Sequence, residues 1–99
     1  MQTQIQLSTD EGGAITTQDT AQNVQIIHDA EIAPELLFWF FPINPFNGQI
    51  VSITSRNGVN ALSIQSGTGN VYNAPTFLLA GESASFMYVI STNAWYKIS

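Results

Sequence analysis

The sequence predicts an all-β fold, a compact antiparallel β-sandwich or jelly-roll-like barrel of about eight short strands. Three observations carry this. Nearly every segment alternates in side-chain character with a period of two, as a strand with one buried face does. Turn signals recur about every 8–12 residues. No segment offers a helix of ordinary length: Glu31 to Phe40 passes on propensity, but Pro34 and the aromatic run that follows argue against it.

Taken in order, Gln4-Ile5-Gln6-Leu7-Ser8 alternates and reads as the first strand. Asp10-Glu11-Gly12-Gly13 is a turn, and Ala14 to Thr17 a short strand. Thr20 to Asn23 is polar connection, and Val24 to His28 a strand. Glu31 to Glu35 is a linker, because Pro34 has no N–H for a central ladder. Leu36 to Phe41 is a strand that stops at Pro42. Pro42 to Gly48 is loop, with two prolines and an Asn-Gly signal. Gln49 to Ser55 and Val59 to Gln65 read as partners in a hairpin, since Asn57-Gly58 accepts the positive φ of a tight link. Ser66 to Asn70 is loop and Val71-Tyr72 a short strand. Thr76 to Leu79, Ser85 to Ile90 and Trp95 to Ile98 follow, separated by turns at Asn73-Ala74-Pro75, Ala80-Gly81-Glu82 and Ser91 to Ala94.

The run Leu36-Leu37-Phe38-Trp39-Phe40-Phe41 has large apolar side chains on both faces of the pleat. Leu36, Phe38 and Phe40 load one face and Leu37, Trp39 and Phe41 the other. A chain of 99 residues is near the lower end of comfortable independent folding. Either the strand is central in a small sandwich, or a second copy of the chain covers one face; the second is expected, with the other face in the core, and parity alone does not say which is which. Charged residues are 9% of the chain, against a usual ~25%. The polar surface must be built from Ser, Thr, Asn and Gln, which cost less to desolvate than charges do. Both features point to self-association.

The formal net charge is −5, with Arg56 and Lys97 the only bases. Asp10, Glu11, Asp19, Asp29, Glu31 and Glu35 all precede the apolar run, and Glu82 is the one acid after it. Two isolated bases do not make a phosphate-binding surface, so neither nucleic acid nor an anionic membrane is an expected partner. There is no cysteine, which excludes disulfides and thiolate metal sites. The start, Met1 to Gln6, lacks the basic and apolar regions of a signal peptide, and the longest apolar run is far shorter than a bilayer span. A soluble protein made in a cytoplasm is expected.

Catalytic signals are weak. His28 lies beside Asp29, but neighbours in a strand point to opposite faces, so His28 reads as an ordinary strand-end residue. No Gly-x-Ser-x-Gly elbow occurs. Asp10-Glu11 sits in a Gly-flanked turn, where acids are usually solvated. Gly67-Thr68-Gly69 lacks the Lys and the helix of a phosphate loop. Tyr72, Trp95 and Tyr96 are candidates for stacking on a sugar ring or contacting a partner, although adjacent Trp95 and Tyr96 should split between core and surface. No catalytic residue, metal site or cofactor is expected.

From Pro42 onward the chain resembles a module of tailed-bacteriophage structural proteins. The matching pieces are Asn47-Gly48-Gln49-Ile50-Val51-Ser52-Ile53, Ala74-Pro75, Leu78-Leu79-Ala80-Gly81-Glu82-Ser83, Phe86-Met87-Tyr88 and Trp95-Tyr96-Lys97-Ile98-Ser99. With the apolar strand before them they span residues 32–99. The resemblance implies an all-β virion protein, commonly a homotrimer, of the kind found in capsid decoration (cement), head-fibre and tail-fibre proteins and tailspikes. It implies no catalysis. A chain that starts at Met1 and stops at the module's end fits a decoration protein, bound to the major capsid protein on the capsid surface. Inside a longer chain, a fibre tip contacting host-surface glycans fits better. Residues 1–31 match nothing in the module. Within a single domain of residues 1–99, that acidic segment is expected to be an extended arm reaching neighbouring subunits.

Overall fold

The alternating apolar positions are satisfied by a short coil of strands closed at one end by a hairpin. The structure, a computed structural model, describes residues 3–17 and 21–99. Met1 and Gln2 of the predicted start, and Thr20 of the predicted connection, lie outside the described residues. The strands are β1 (Thr3–Ser8), β2 (Gly13–Thr16), β3 (Asn23–His28), β4 (Leu37–Phe40), β5 (Ile50–Ser55), β6 (Leu62–Gln65), β7 (Asn70–Tyr72), β8 (Ser83–Val89) and β9 (Ala94–Lys97). No helix occurs among the described residues.

Two sheets form. The larger has the order β1-β3-β5-β8-β9-β7, the smaller β2-β4-β6. The chain alternates between them from β1 to β6, so β1 pairs with β3 and β3 with β5 in parallel, as do β2 with β4 and β4 with β6. Each consecutive pair of strands is one rung of a flattened, solenoid-like coil. Three rungs stack, and β8 then lies antiparallel on β5 and β9 antiparallel on β8, closing the coil's second end. The antiparallel sandwich or jelly-roll expectation is thereby corrected. The all-β character stands, but the sheets are mixed and largely parallel.

Stacking is set by like residues above like. On the inner side of the larger sheet Val24, Val51 and Phe86 lie side by side, as do Ile26, Ile53 and Ala84. On the inner side of the smaller sheet Ile15, Trp39 and Ile64 form one column, and Leu37 meets Leu62 in another. Aromatic rings fill the space between. Phe41 sits 4.7 Å from Trp39, 5.3 Å from Phe86 and 4.8 Å from Trp95, all tilted or edge-on, the arrangement that ring quadrupoles favour.

The predicted hairpin across Arg56-Asn57-Gly58 is also corrected. Gly58 does adopt a positive φ of 81°. The turn, however, is a corner of the coil that sends β6 to the other sheet. Asn57 fixes that corner by donating to the Ala30 carbonyl at 2.7 Å and the Glu31 carbonyl at 3.1 Å in the rung below. A side chain at Gly58 would collide with the Leu78 carbonyl, which accepts from Val59 N–H at 2.8 Å. The predicted Thr76–Leu79 strand is reduced to a single bridge between Leu78 and Val59.

The N-terminal segment expected to be an arm instead supplies the first rung and part of the second. Its β1 has the reverse facing from a core strand. Gln4, Gln6 and Ser8 stack beside Val24, Ile26 and His28, while Ile5 and Leu7 point outward at 72% and 68% exposure. Gln6 Nε2 donates across the rung to the Thr16 carbonyl at 2.8 Å. Polar side chains thus close the coil's first end, as terminal repeats of stacked folds do.

Candidate functional site

The one histidine is held inside the fold. His28 is fully buried at the end of β3. Its Nε2 is 2.7 Å from the Asp10 carbonyl, which only accepts, so Nε2 carries the proton. Nδ1 is 2.8 Å from Ser55 Oγ, which also lies 3.1 Å from the Gly58 carbonyl. A Ser-His pair therefore exists, with Ser55 as fully buried as His28. The imidazole ties the first turn to the second and third rungs. Asp29, as the sequence predicts, points elsewhere and meets Arg56 at 3.2 Å on the surface. Among the described residues, no three His, Asp or Glu side chains come together as a metal-binding group.

The placement of charge is more informative. No strand contains Asp, Glu or Arg, and Lys97 in β9 is the one charged residue in any of them. The described acids all sit in turns and connections. On the outer side of the larger sheet, polar groups bind one another instead. Gln25 Nε2 donates to Ser52 Oγ at 3.3 Å, Ser52 Oγ to Ser85 Oγ at 2.8 Å, and Thr54 and Ser83 pair at 3.0 Å.

The apolar run divides by parity. Leu37, Trp39 and Phe41 face the core at 0%, 0% and 2% exposure. Trp39 Nε1 donates to Thr17 Oγ1 at 2.6 Å, so even its polar atom is satisfied inside. Leu36 and Phe40 are exposed, at 47% and 39%, and Phe38 is half-buried. Phe38 and Phe40 stack at 6.4 Å between ring centroids. Their lateral neighbours are small or polar, Ala14 and Ser63 beside Phe38 and Thr16 and Gln65 beside Phe40. The two rings therefore stand out as a ridge on the smaller sheet. Beside Phe40 opens an apolar cleft of about 450 Å³, lined by Thr16, Phe40, Phe41, Ile43, Gln65, Ser66 and Gly67. Ile43 at its rim is 68% exposed. Sequence reasoning placed Ile43 in a loop and missed this cleft; an isoleucine held between two prolines was the available signal.

Of the three candidate contact aromatics, the structure brings two together at the surface. Tyr72 and Tyr96 lie 5.4 Å apart on the paired strands β7 and β9. Tyr72 is 46% exposed, and the Tyr96 hydroxyl donates to Thr92 Oγ1 at 2.9 Å. Trp95 is removed from that set. It is fully buried, against Phe41 and Tyr88, because its parity in β9 is the inner one.

No protein-family model, curated protein or solved structure matches this chain.

Proposed function

We propose that the chain is a phage virion structural protein, a capsid decoration (cement) protein that associates with copies of itself, as a homotrimer, on the outer capsid surface. The observation that carries this reading is the near-absence of charge from the strands, where Lys97 is the one charged residue, together with the Phe38–Phe40 ridge on the far side of β4 from the core. Uncharged sheet faces can be desolvated against a partner at low cost. Exposed aromatics supply the contact area that interface centres favour. The resemblance of residues 32–99 to the phage module supports the choice of a virion.

The mechanism is mechanical. Several weak contacts made together on neighbouring capsid subunits hold the oligomer far more tightly than one. A protein that binds the assembled lattice and not its free subunits stabilises the lattice by mass action. The test is to incubate the protein with undecorated capsids of a tailed phage that encodes it, count bound copies and measure the capsid's melting temperature. About three copies at each occupied site and a raised capsid melting temperature are the expected outcome. No binding, and no shift, refutes the reading.

A second reading has its own observation in the exposed Tyr72–Tyr96 pair. Two tilted phenol rings on a sheet edge suit the apolar face of a sugar, and a fibre tip would use them on host glycans. In the same experiment, binding to host-surface glycans that Tyr72→Ala abolishes, with no binding to capsids, selects this reading over the first.

A further inference from the structure

We propose that the open edge of β1 joins two copies of this chain, the strand pairing antiparallel with itself about a two-fold axis at Gln6. The inference deepens the self-association reading above by naming a contact, and it is separable from the Phe38–Phe40 ridge.

β1 is the outermost strand of the six-stranded sheet. Its hydrogen-bonding direction is fixed. Ser8 O accepts from Asp29 N–H at 2.7 Å, so the backbone groups of Ser8 point to β3, as do those of Gln6 and Gln4 two and four residues earlier. The N–H and C=O groups of Ile5 and Leu7 therefore point out of the sheet. An open row of donors and acceptors is a template for another strand. Soluble proteins usually defend such an edge with a charge, a proline, a bulge or a very short strand. This edge has six residues, Thr-Gln-Ile-Gln-Leu-Ser, and none of those defences. The other sheet edges are shorter: β7 has three residues, and β2 and β6 have four each. The segment after β7 also partly covers β6, through Leu62 N–H to the Thr76 carbonyl at 2.8 Å.

The partner that fits is the same strand. With Gln6 opposite Gln6, Ile5 of each copy falls opposite Leu7 of the other, and both carry outward-pointing backbone groups. They form the hydrogen-bonded pairs of an antiparallel ladder. Their side chains, the most exposed apolar ones of the strand, become neighbours on the outer face, next to Ile27, which lies beside Leu7 in β3 and is 40% exposed. Charge selects the direction. A parallel pairing would set Asp10 and Glu11 beside their own copies. The antiparallel one places the two Asp10 residues eight positions apart along the ribbon, about 26 Å, well beyond the ~8 Å screening length. The joined molecules share one continuous twelve-stranded sheet.

Two measurements test this. The first is mass in solution across a concentration series. The wild type is expected to form two of the proposed trimers joined through their β1 edges, six times the 10.8 kDa chain. Ile5→Pro removes an outward N–H that β3 does not use, and Leu7→Lys places a charge on the edge; each should halve that mass while the circular dichroism spectrum remains that of the folded chain. Should Ile5→Pro fail to fold, Leu7→Lys decides. The second uses the absence of cysteine. Gln6→Cys creates a lone thiol facing its equivalent at about 4.5 Å between Cα atoms, near the short end of the disulfide range. Mild oxidation should give a covalent dimer, while Ser91→Cys, in the exposed turn after β8, should give none. An odd-numbered assembly, a mass unmoved by Leu7→Lys, or equal cross-linking at both positions overturns the pairing. If Phe38→Glu abolishes association and capsid binding while Leu7→Lys changes neither, this inference fails and the proposed function survives. If the Gln6→Cys dimer forms and capsids are not bound, the reverse holds.

Discussion

At the scale of the residue, the buried polar groups hold the rungs in register. His28 bridges the Asp10 carbonyl, on the first turn, and Ser55, on the third rung, from a position between them. A leucine of similar volume would keep the packing and strand two partners. His28→Leu is therefore expected to cost about 1–3 kcal/mol, the penalty for unsatisfied buried groups. Chemical denaturation should show this as a lower midpoint with an unchanged slope, since the surface exposed on unfolding stays the same. Trp39 shows the complementary case. Its ring is wholly internal, and Thr17 satisfies its one polar atom at 2.6 Å. The parity of the apolar run was legible in the sequence, but not its phase, because both faces are equally apolar. The phase is set by residues far away in sequence: Ile15 and Ile64, which stack on either side of Trp39.

At the scale of the element, β4 carries the sharpest contrast. Trp39→Glu buries a carboxylate among rings and should unfold the chain. Phe38→Glu places the same group on the outer face and should leave the monomer folded while weakening association. Circular dichroism and sedimentation, run on both variants, separate the two effects; folded, associated protein in both cases would contradict the assignment of faces. Strand existence was readable from alternation in β1, β3, β5, β8 and β9. Pairing was not, because an alternating strand presents the same inner face to a parallel neighbour as to an antiparallel one. Asn57-Gly58 misled for a related reason. The positive φ of Gly58 serves a corner of the coil as well as it serves a hairpin. In β1 the polar and apolar positions exchange sides because that rung ends the stack, and nothing in Gln4 to Ser8 announces an end. The Tyr72–Tyr96 pair needed the parallel ladder between β7 and β9, a non-local contact that no local pattern encodes.

At the scale of the whole molecule, the sheets carry almost no charge and the turns carry nearly all of it. Association through the sheets should accordingly change little between about 0.01 and 1 M salt, a range over which charged contacts are progressively screened. Light scattering across that range checks it, and a steep loss of mass with salt would move the contact to the acidic turns. The topology has one more consequence, for the order in which the molecule is made. The strand that covers β5 is β8, and β9 then lies between β8 and β7. A nascent chain that has delivered all three rungs still holds Val51 and Ile53 along an unfinished border. The β8–β9 segment, which follows the three rungs in the chain, is the one that seals it, so that border stays open until the segment has left the ribosome. Prematurely terminated polypeptides lacking that segment would be released with a raw, adhesive flank.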